Sequence, residues 1–274
     1  MAIRLGKRLQ LIADMTAEQA GGTLTVCDVG TDHAHIPIYL LQTNGCGKAI
    51  AMDVADGPLA IAKTNLELAG LEDRCELRKS DGLKTFTKGE AQVLVIAGMG
   101  GILMRQILEE DPEKTKSFQS LVLSPHSEPQ LVRSFLRKNK TGIRKERAVF
   151  EDGKYYTVLS ASPGQEMIRP DWDGYQKQIR EMPQDTQKSA GITAQTAEIL
   201  FADPLFRQEM EDLYGPCLIR NRDPVLREYV SLKLKSTLQL LSQMQEINQE
   251  ERSLALKGKA GALQALLFLL TFLS

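Results

Sequence analysis

Residues suited to holding an adenosine-containing ligand cluster in Val26-Cys27-Asp28-Val29-Gly30-Thr31-Asp32-His33-Ala34 and, further on, in Ile50-Ala51-Met52-Asp53. An apolar strand ending in an acid-rich glycine turn, followed by a second strand ending in Asp, is how many doubly wound α/β domains hold such a ligand. The Asp53 carboxylate falls at the carboxyl end of its strand, placed to accept from both ribose hydroxyls, while Gly30 lets the backbone pass closely beneath. A dinucleotide turn needs further glycines so that backbone amides approach a pyrophosphate. Those positions hold Asp32 and His35 here, so a phosphate would meet a carboxylate. S-adenosylmethionine has no phosphate and carries a sulfonium and an α-ammonium group, which carboxylates favour. The turn therefore prefers S-adenosylmethionine to NAD, with a structural strand-to-helix turn as the plainer reading. The cofactor-binding candidates of these two strand ends are Asp28, Gly30, Asp32, His33, Asp53 and Val54.

Two more strand ends carry similar signals. Ser80-Asp81-Gly82 places Asp81 to accept from an adenine amino group, or is an ordinary turn. Ala97-Gly98-Met99-Gly100-Gly101 suggests close backbone approach to a ligand, or a flexible connection to the next helix. Ser80, Asp81, Gly82, Ala97, Gly98 and Met99 join the cofactor-binding candidates.

The elements that must position these residues follow from apolar runs at the spacing of βαβ units. Strands are predicted over residues 24–29, 48–53, 74–79, 92–97, 120–124, 143–150 and 155–160. Helical spacing fills the gaps, beginning at Pro37, over 58–69 with Leu59, Ala62, Leu66 and Ala69 on one side, and over 101–110. Glu151-Asp152-Gly153 is a hairpin signal, so the sheet finishes antiparallel. Five parallel strands and an antiparallel pair make a seven-stranded, mostly parallel α/β sheet of the Rossmann-like class I methyltransferase kind.

The ordered set Lys7-Arg8-Leu9, Asp28-Val29-Gly30-Thr31-Asp32-His33-Ala34, Ile36-Pro37-Ile38, Ile96-Ala97-Gly98-Met99-Gly100-Gly101 and Gly153-Lys154-Tyr155-Tyr156 resembles the bacterial tRNA (adenine-22-N1)-methyltransferase family. The resemblance covers residues 1–162 and continues more weakly through Leu213-Tyr214-Gly215-Pro216. It implies a cofactor-binding methyltransferase domain over 1–162, then a linker and a helical, coiled-coil-like domain over 163–274. It also implies S-adenosylmethionine as methyl donor, N1 of adenosine 22 in tRNA as acceptor, and no metal. This chain departs from the family at His35, where an aromatic residue is usual, and at Ser124-Pro125-His126, where an amide-containing segment is usual. His126 still offers a hydrogen-bonding group at a strand's end and is kept as a substrate candidate.

The implied reaction is an in-line displacement by the N1 lone pair, which asks the protein chiefly to align reactants and exclude water. A carboxylate accepting from the exocyclic N6 amine adds electron density at N1. Asp32 is the first catalytic candidate and His33 its neighbour or alternate; a purely cofactor-facing Asp32 stays open. N1 is hidden in a base pair, so the nucleotide must leave its stack first.

At 274 residues with 42% hydrophobic content, the chain has room for one full α/β domain and a smaller one. Cys27, Cys46, Cys75 and Cys217 lack zinc-site spacing and suggest no disulfide framework. No secretion signal is evident, so a cytoplasmic protein is expected. The formal net charge of -1 hides a basic stretch, residues 133–147, in which Arg133, Arg137, Lys138, Lys140, Arg144, Lys145 and Arg147 are opposed only by Glu146. With Arg4, Lys7 and Arg8 it could neutralise RNA phosphates, or form a solvated helix face and strand edge. Lys7, Arg8, Arg133, Arg137 and Lys138 are the substrate-binding candidates besides His126, and tRNA is the expected partner.

Beyond residue 163, Trp172 with Tyr175 is a base-stacking platform or, more simply, a packing anchor. Leu226, Val230, Leu234, Leu238, Leu241, Met244 and Ile247 form a helical stripe whose nearest partner is expected within 194–213. The apolar tail over 260–273 is shorter than the roughly 20 residues that span a bilayer, so no membrane partner is expected. A nicotinamide dehydrogenase, a non-catalytic RNA-binding protein, and a methyltransferase acting on another RNA or a small molecule are the competing functions.

Overall fold

The computed structural model describes residues 3–182, 194–246 and 250–273. They form two compact units, Met1–Ile168 and Arg169–Ser274.

The first unit is built on seven strands: β1 (Thr25–Val29), β2 (Lys48–Asp53), β3 (Cys75–Lys79), β4 (Val93–Ala97), β5 (Ser120–Ser124), β6 (Thr141–Glu151) and β7 (Lys154–Pro163). Their order is β3-β2-β1-β4-β5-β7-β6. The first five are parallel, and β7 runs antiparallel between β5 and β6. Val93, Leu94, Val95 and Ile96 on β4 are all inaccessible to solvent, as expected of a central parallel strand covered on both faces. Asp152 and Gly153 join β6 to β7 with φ values of 49° and 75°. Two successive left-handed residues make the tight turn whose twist suits a hairpin.

Helices α1 (Lys7–Ala20), α2 (His35–Gln42), α3 (Asp56–Ala69), α4 (Gly101–Glu110), α5 (Pro112–Ser117) and α6 (Pro129–Lys138) cover the sheet. Ile12, Met15, Leu40, Leu41, Ala62 and Leu66 pack with the strand residues Val26, Val95, Val122 and Val158 into one core. Helix α2 starts two residues before the expected Pro37, because Ala34 takes a left-handed φ of 57° and turns the chain into the helix early. This unit also runs past residue 162. Gly164 donates to the Lys140 carbonyl, Ile168 to the Ile143 carbonyl, and the Glu166 carbonyl accepts from Arg144, so 164–168 stay tied to β6.

The second unit contains α7 (Trp172–Glu181), α8 (Ala194–Ala202), α9 (Pro204–Tyr214), α10 (Pro216–Arg220), α11 (Pro224–Glu246) and α12 (Glu250–Phe272). Trp172 is 5% exposed, packs on Tyr175, Phe201 and Phe206, and donates its indole N–H to Glu211 at 2.9 Å. It is the packing anchor; a base has no open indole face on which to stack.

The partner of the α11 stripe differs from the expectation. Helix α11 packs chiefly on α12. Arg222, just before α11, donates to the carbonyl of Leu273, just after α12, so the two helices run antiparallel. Leu226 and Val230 are buried, Leu234, Leu241 and Met244 half-buried and Leu238 exposed, while Ile247 lies outside the described residues. The tail is correspondingly longer than its apolar run. Helix α12 has 23 residues, and residues 252–272, which include an 18-residue window with a mean hydropathy of 1.3, are long and apolar enough to cross a membrane by length and composition. Length therefore does not argue against a span; Leu263, Leu266, Phe268, Leu269 and Leu270 are buried within the unit, as in a core helix.

Candidate active site

The order of the strands reverses between β1 and β4, and a cavity of about 540 Å³ opens at the carboxyl ends of the strands there. This is where open α/β sheets take ligands. Four strand ends line it: Asp28, Gly30 and Asp32 after or on β1, Asp53 and Val54 from β2, Ser80, Asp81 and Gly82 after β3, and Ala97, Gly98 and Met99 from β4.

The β1 turn is fixed by its neighbour. Gly30 and Thr31 donate their N–H groups to the Met52 carbonyl at 2.8 and 2.9 Å, which aims the turn along the end of β2. Asp32 (φ 55°) then donates its N–H to Asp53 Oδ2 at 3.1 Å, and Ala55 donates to Asp53 Oδ1 at 3.0 Å. Each Asp53 oxygen keeps a lone pair free, and no ion pair to Asp53 occurs among the described residues. Gly30 has a φ of 73°, a left-handed backbone that calls for glycine; a Cβ there would meet only the Met99 methyl, the movable end of a flexible side chain.

Beneath the turn, Asp28 is 2% exposed and accepts from the Thr31 hydroxyl at 2.7 Å. Burial raises its pKa from 3.8 to about 7, with the Thr31 hydrogen bond opposing and the nearby Asp53 charge adding to the rise. At the third strand end, Ser80 donates its N–H to the Asp53 carbonyl and its hydroxyl to the Gly82 carbonyl, both at 2.9 Å. Asp81 pairs with Lys84 on the open side.

On the β4 and β5 side, His126 donates its N–H to the Met99 carbonyl at 2.8 Å, holding the Gly98-Met99 loop. The His126 ring meets Tyr156 edge-on at 5.5 Å, and the Arg8 guanidinium lies over the same Tyr156 ring at 5.1 Å. Partial burial lowers the His126 pKa, and the positive charges of Arg8 and Lys154 lower it further. Arg8 and His126 both line the cavity, and Arg8 is the only Lys or Arg to do so among the described residues.

The remaining sequence candidates fall elsewhere. His33 does not line the cavity. Its Nδ1 lies 3.5 Å from Asp32 Oδ1, its ring packs against His35 at 5.6 Å, and its carbonyl accepts from Asn65. His35 faces the cavity instead. Lys7 and Lys138 are exposed, and Arg137 is half-buried with its guanidinium donating to Ser134 at 3.2 Å.

Arg133 is a correction. It is 1% exposed and donates to Glu146 on β6 at 2.8 Å, so it is structural and out of reach of RNA. Its place between Val132 and Phe135 on the buried face of α6 accounts for this. Thr31, His35 and Tyr156 belong to the site's surroundings but are not among the sequence candidates, where His35 figures only as a turn position without glycine and a departure from the family. The first two adjoin the recognised turn, and Tyr156 lies in a segment recognised only as part of a motif.

The floor is thus rich in carboxylates and poor in cations. Such a floor suits a ligand carrying ribose hydroxyls, an adenine amine and positive charge, and opposes a pyrophosphate.

A family model for a methyltransferase domain matches residues 5–159. The tRNA (adenine(22)-N(1))-methyltransferase of Bacillus subtilis (strain 168) is 37% identical over 162 residues, which make up 59% of this chain and 66% of that one, just under two thirds of its length. The crystal structure of the B. subtilis M1A22 tRNA methyltransferase TrmK has a TM-score of 0.71 at 28% identity, covering 96% of this chain and 99% of that chain. A Streptococcus pneumoniae protein solved in complex with S-adenosyl-L-methionine has a TM-score of 0.72 at 25% identity, covering 96% of this chain and all of that chain (100%).

Proposed function

The chain belongs to the methyltransferase-domain family, and from that premise we propose that it transfers a methyl group from S-adenosylmethionine to N1 of adenosine 22 in tRNA. The observation that carries the cofactor half is the acid-rich cavity at the sheet's switch point, with Asp53 free of any ion pair among the described residues. The substrate half draws on the likeness to the B. subtilis enzyme.

In this reading Asp53 accepts from the ribose hydroxyls, Asp81 from the adenine amine, and Val54 and Met99 supply apolar contact. Gly30 and Gly98 let the main chain approach the cofactor, while Ser80 and Gly82 shape the third strand end. The Asp28 carboxyl holds the Thr31 hydroxyl and so the shape of the turn. When bound, S-adenosylmethionine supplies a methyl group on a sulfonium and leaves as a neutral thioether. No covalent or metal step is needed from the protein, whose contribution is alignment and exclusion of water. Asp32, exposed above the turn, accepts from the target's N6 amine and stabilises the positive charge that develops on the methylated base. His33 acts through Asp32, beside which its Nδ1 lies.

Lys7, Arg8, His126, Arg137 and Lys138 are the groups on the substrate side, and the exposed Arg227, Lys233 and Lys235 of α11 give the helical unit a basic stretch for the tRNA body. The first unit, to residue 168, carries the chemistry and the second adds the helical part, in a protein that works on RNA in the cytoplasm.

The test is incubation of the protein with labelled S-adenosylmethionine and unmodified tRNA, followed by digestion and identification of the nucleoside. N1-methyladenosine that vanishes when adenosine 22 is substituted is the expected result. Cofactor binding without transfer to tRNA would overturn the substrate and keep the family.

A further inference from the structure

Arg8 reaches the cavity in an unusual state. Its Nη1 is shielded from solvent yet has no hydrogen-bond partner. A shielded guanidinium N–H without an acceptor is costly and uncommon, so the neighbours rather than that group's own hydrogen bonds hold the guanidinium in place.

The fold goes to some length to keep it there. The Glu151 carboxylate at the end of β6 accepts the Arg8 main-chain N–H at 3.3 Å, docking the start of α1 on the hairpin. Across the same hairpin, Val149 pairs with Tyr156, whose ring carries the guanidinium. Leu123 on β5 pairs with Leu159 on antiparallel β7, so Tyr156, three residues earlier, projects past the carboxyl end of β5 to where His126 stands. Tyr156 touches both Arg8 and His126, but it does not itself line the cavity. Arg8 and His126 belong to the β5 and β7 half of the edge, while Asp53 and Asp81 belong to the β2 and β3 half. The cation therefore stands on the side opposite the carboxylates assigned to the cofactor.

We infer that Tyr156 is a positioning residue for the RNA: it holds the Arg8 guanidinium at the cavity so that the guanidinium donates to a phosphate oxygen of the target nucleotide, beside His126. This rests on the tRNA reading above and deepens it. A planar guanidinium stacked on a ring loses little freedom when it meets a phosphate, which favours arginine over lysine here. With Tyr156 absent, Arg8 keeps its charge and loses its place.

The experiment is tRNA affinity against salt concentration, with S-adenosylhomocysteine bound, for the wild type, Arg8→Ala, Tyr156→Leu, Tyr156→Phe and the double variant Arg8→Ala/Tyr156→Leu. Removing one phosphate contact lowers the slope of log affinity against log salt by about one. Arg8→Ala should show that loss. Tyr156→Leu should show it too although it removes no charge, which a merely structural role would not produce. Tyr156→Phe, which keeps the ring, should retain the wild-type slope, and the double variant should lose no more than either single one. Tyr156→Gln replaces the leucine variant if that one does not fold.

A wild-type slope in folded Tyr156→Leu, or in Arg8→Ala, would overturn the inference. A wild type that binds tRNA without methylating adenosine 22 would overturn the proposed function and leave the slopes to judge Tyr156. A wild type with no affinity for tRNA would overturn both.

Discussion

The main-chain N–H of Asp32 and the carboxylate of Asp53 are joined across the ends of two adjacent parallel strands, at 3.1 Å. One acid thereby shapes the turn that carries another. Asp53 holds Asp32 through Oδ2 and Ala55 through Oδ1, leaving one lone pair on each oxygen for a ribose hydroxyl.

Asp53→Asn should therefore cost more than one ligand contact. The amide keeps one acceptor oxygen and turns the other into a donor facing a backbone N–H or a hydroxyl. Losing one ligand hydrogen bond to a charged acceptor, at about 1.5–3 kcal/mol, and removing the charge behind the other weakens S-adenosylmethionine binding by more than about tenfold. Calorimetric titration checks it; an affinity within tenfold of wild type would remove Asp53 from the ribose.

Arg133 and Glu146 are both essentially inaccessible, at 2% and 0% side-chain exposure. Removing one partner strands the other's charge in the core at a cost of about 3–5 kcal/mol, whereas replacing both with apolar residues of similar volume is much milder. Arg133→Met should unfold at markedly lower urea concentration, and Arg133→Met/Glu146→Leu should recover most of that loss. Equal midpoints for wild type and Arg133→Met would show the pair to be dispensable.

The strand ends were legible because their chemistry and their geometry share the same residues. Glycine after an apolar run and Asp at a strand's end mark both the turn and the ligand edge. The orientation of His33 and His35 was not legible, since it depends on the left-handed φ values at Asp32 and Ala34. Asp tolerates that conformation without requiring it, and Ala seldom adopts it, so their types do not announce the turn. Arg133 misled for another reason. A count of charges does not see that one cation of the stretch falls on the buried face of α6, nor that its counter-ion waits on β6. The pairing of α11 with α12 was likewise hidden, because an apolar stripe states that a partner exists and not which one.

Asp32 separates two roles in one measurement. Its side chain is exposed, and only its main-chain N–H takes part in the tie to Asp53. Asn tolerates a left-handed φ as readily as Asp, so Asp32→Asn leaves the turn intact. If the carboxylate stabilises charge on the methylated base, kcat falls by about a hundredfold with little change in cofactor affinity. A loss confined to S-adenosylmethionine affinity would instead make Asp32 a cofactor-facing group.

Asp28 should give the protein a pH dependence of definite sign. Burial raises its pKa from 3.8 to about 7, although the Thr31 hydroxyl partly offsets the rise. Between about pH 4 and 7 the native state thus holds a proton that the unfolded chain has released. The contribution to stability is fully present below the unfolded value and is lost as pH rises through the folded one. Within that window the loss is at most about 1.4 kcal/mol per pH unit, or about 3–6 °C in Tm for a unit of this size. Asp28→Asn does not titrate, and its amide oxygen still accepts from Thr31. Its melting temperature relative to wild type should therefore rise from pH 5 to pH 7.5 and then level off. His126, whose pKa is lowered by burial, contributes with the opposite sign but is present in both proteins and cancels in the difference. A difference in Tm that stays constant across this range would mean that Asp28 is already ionised in the folded protein, held so by Thr31 against its burial.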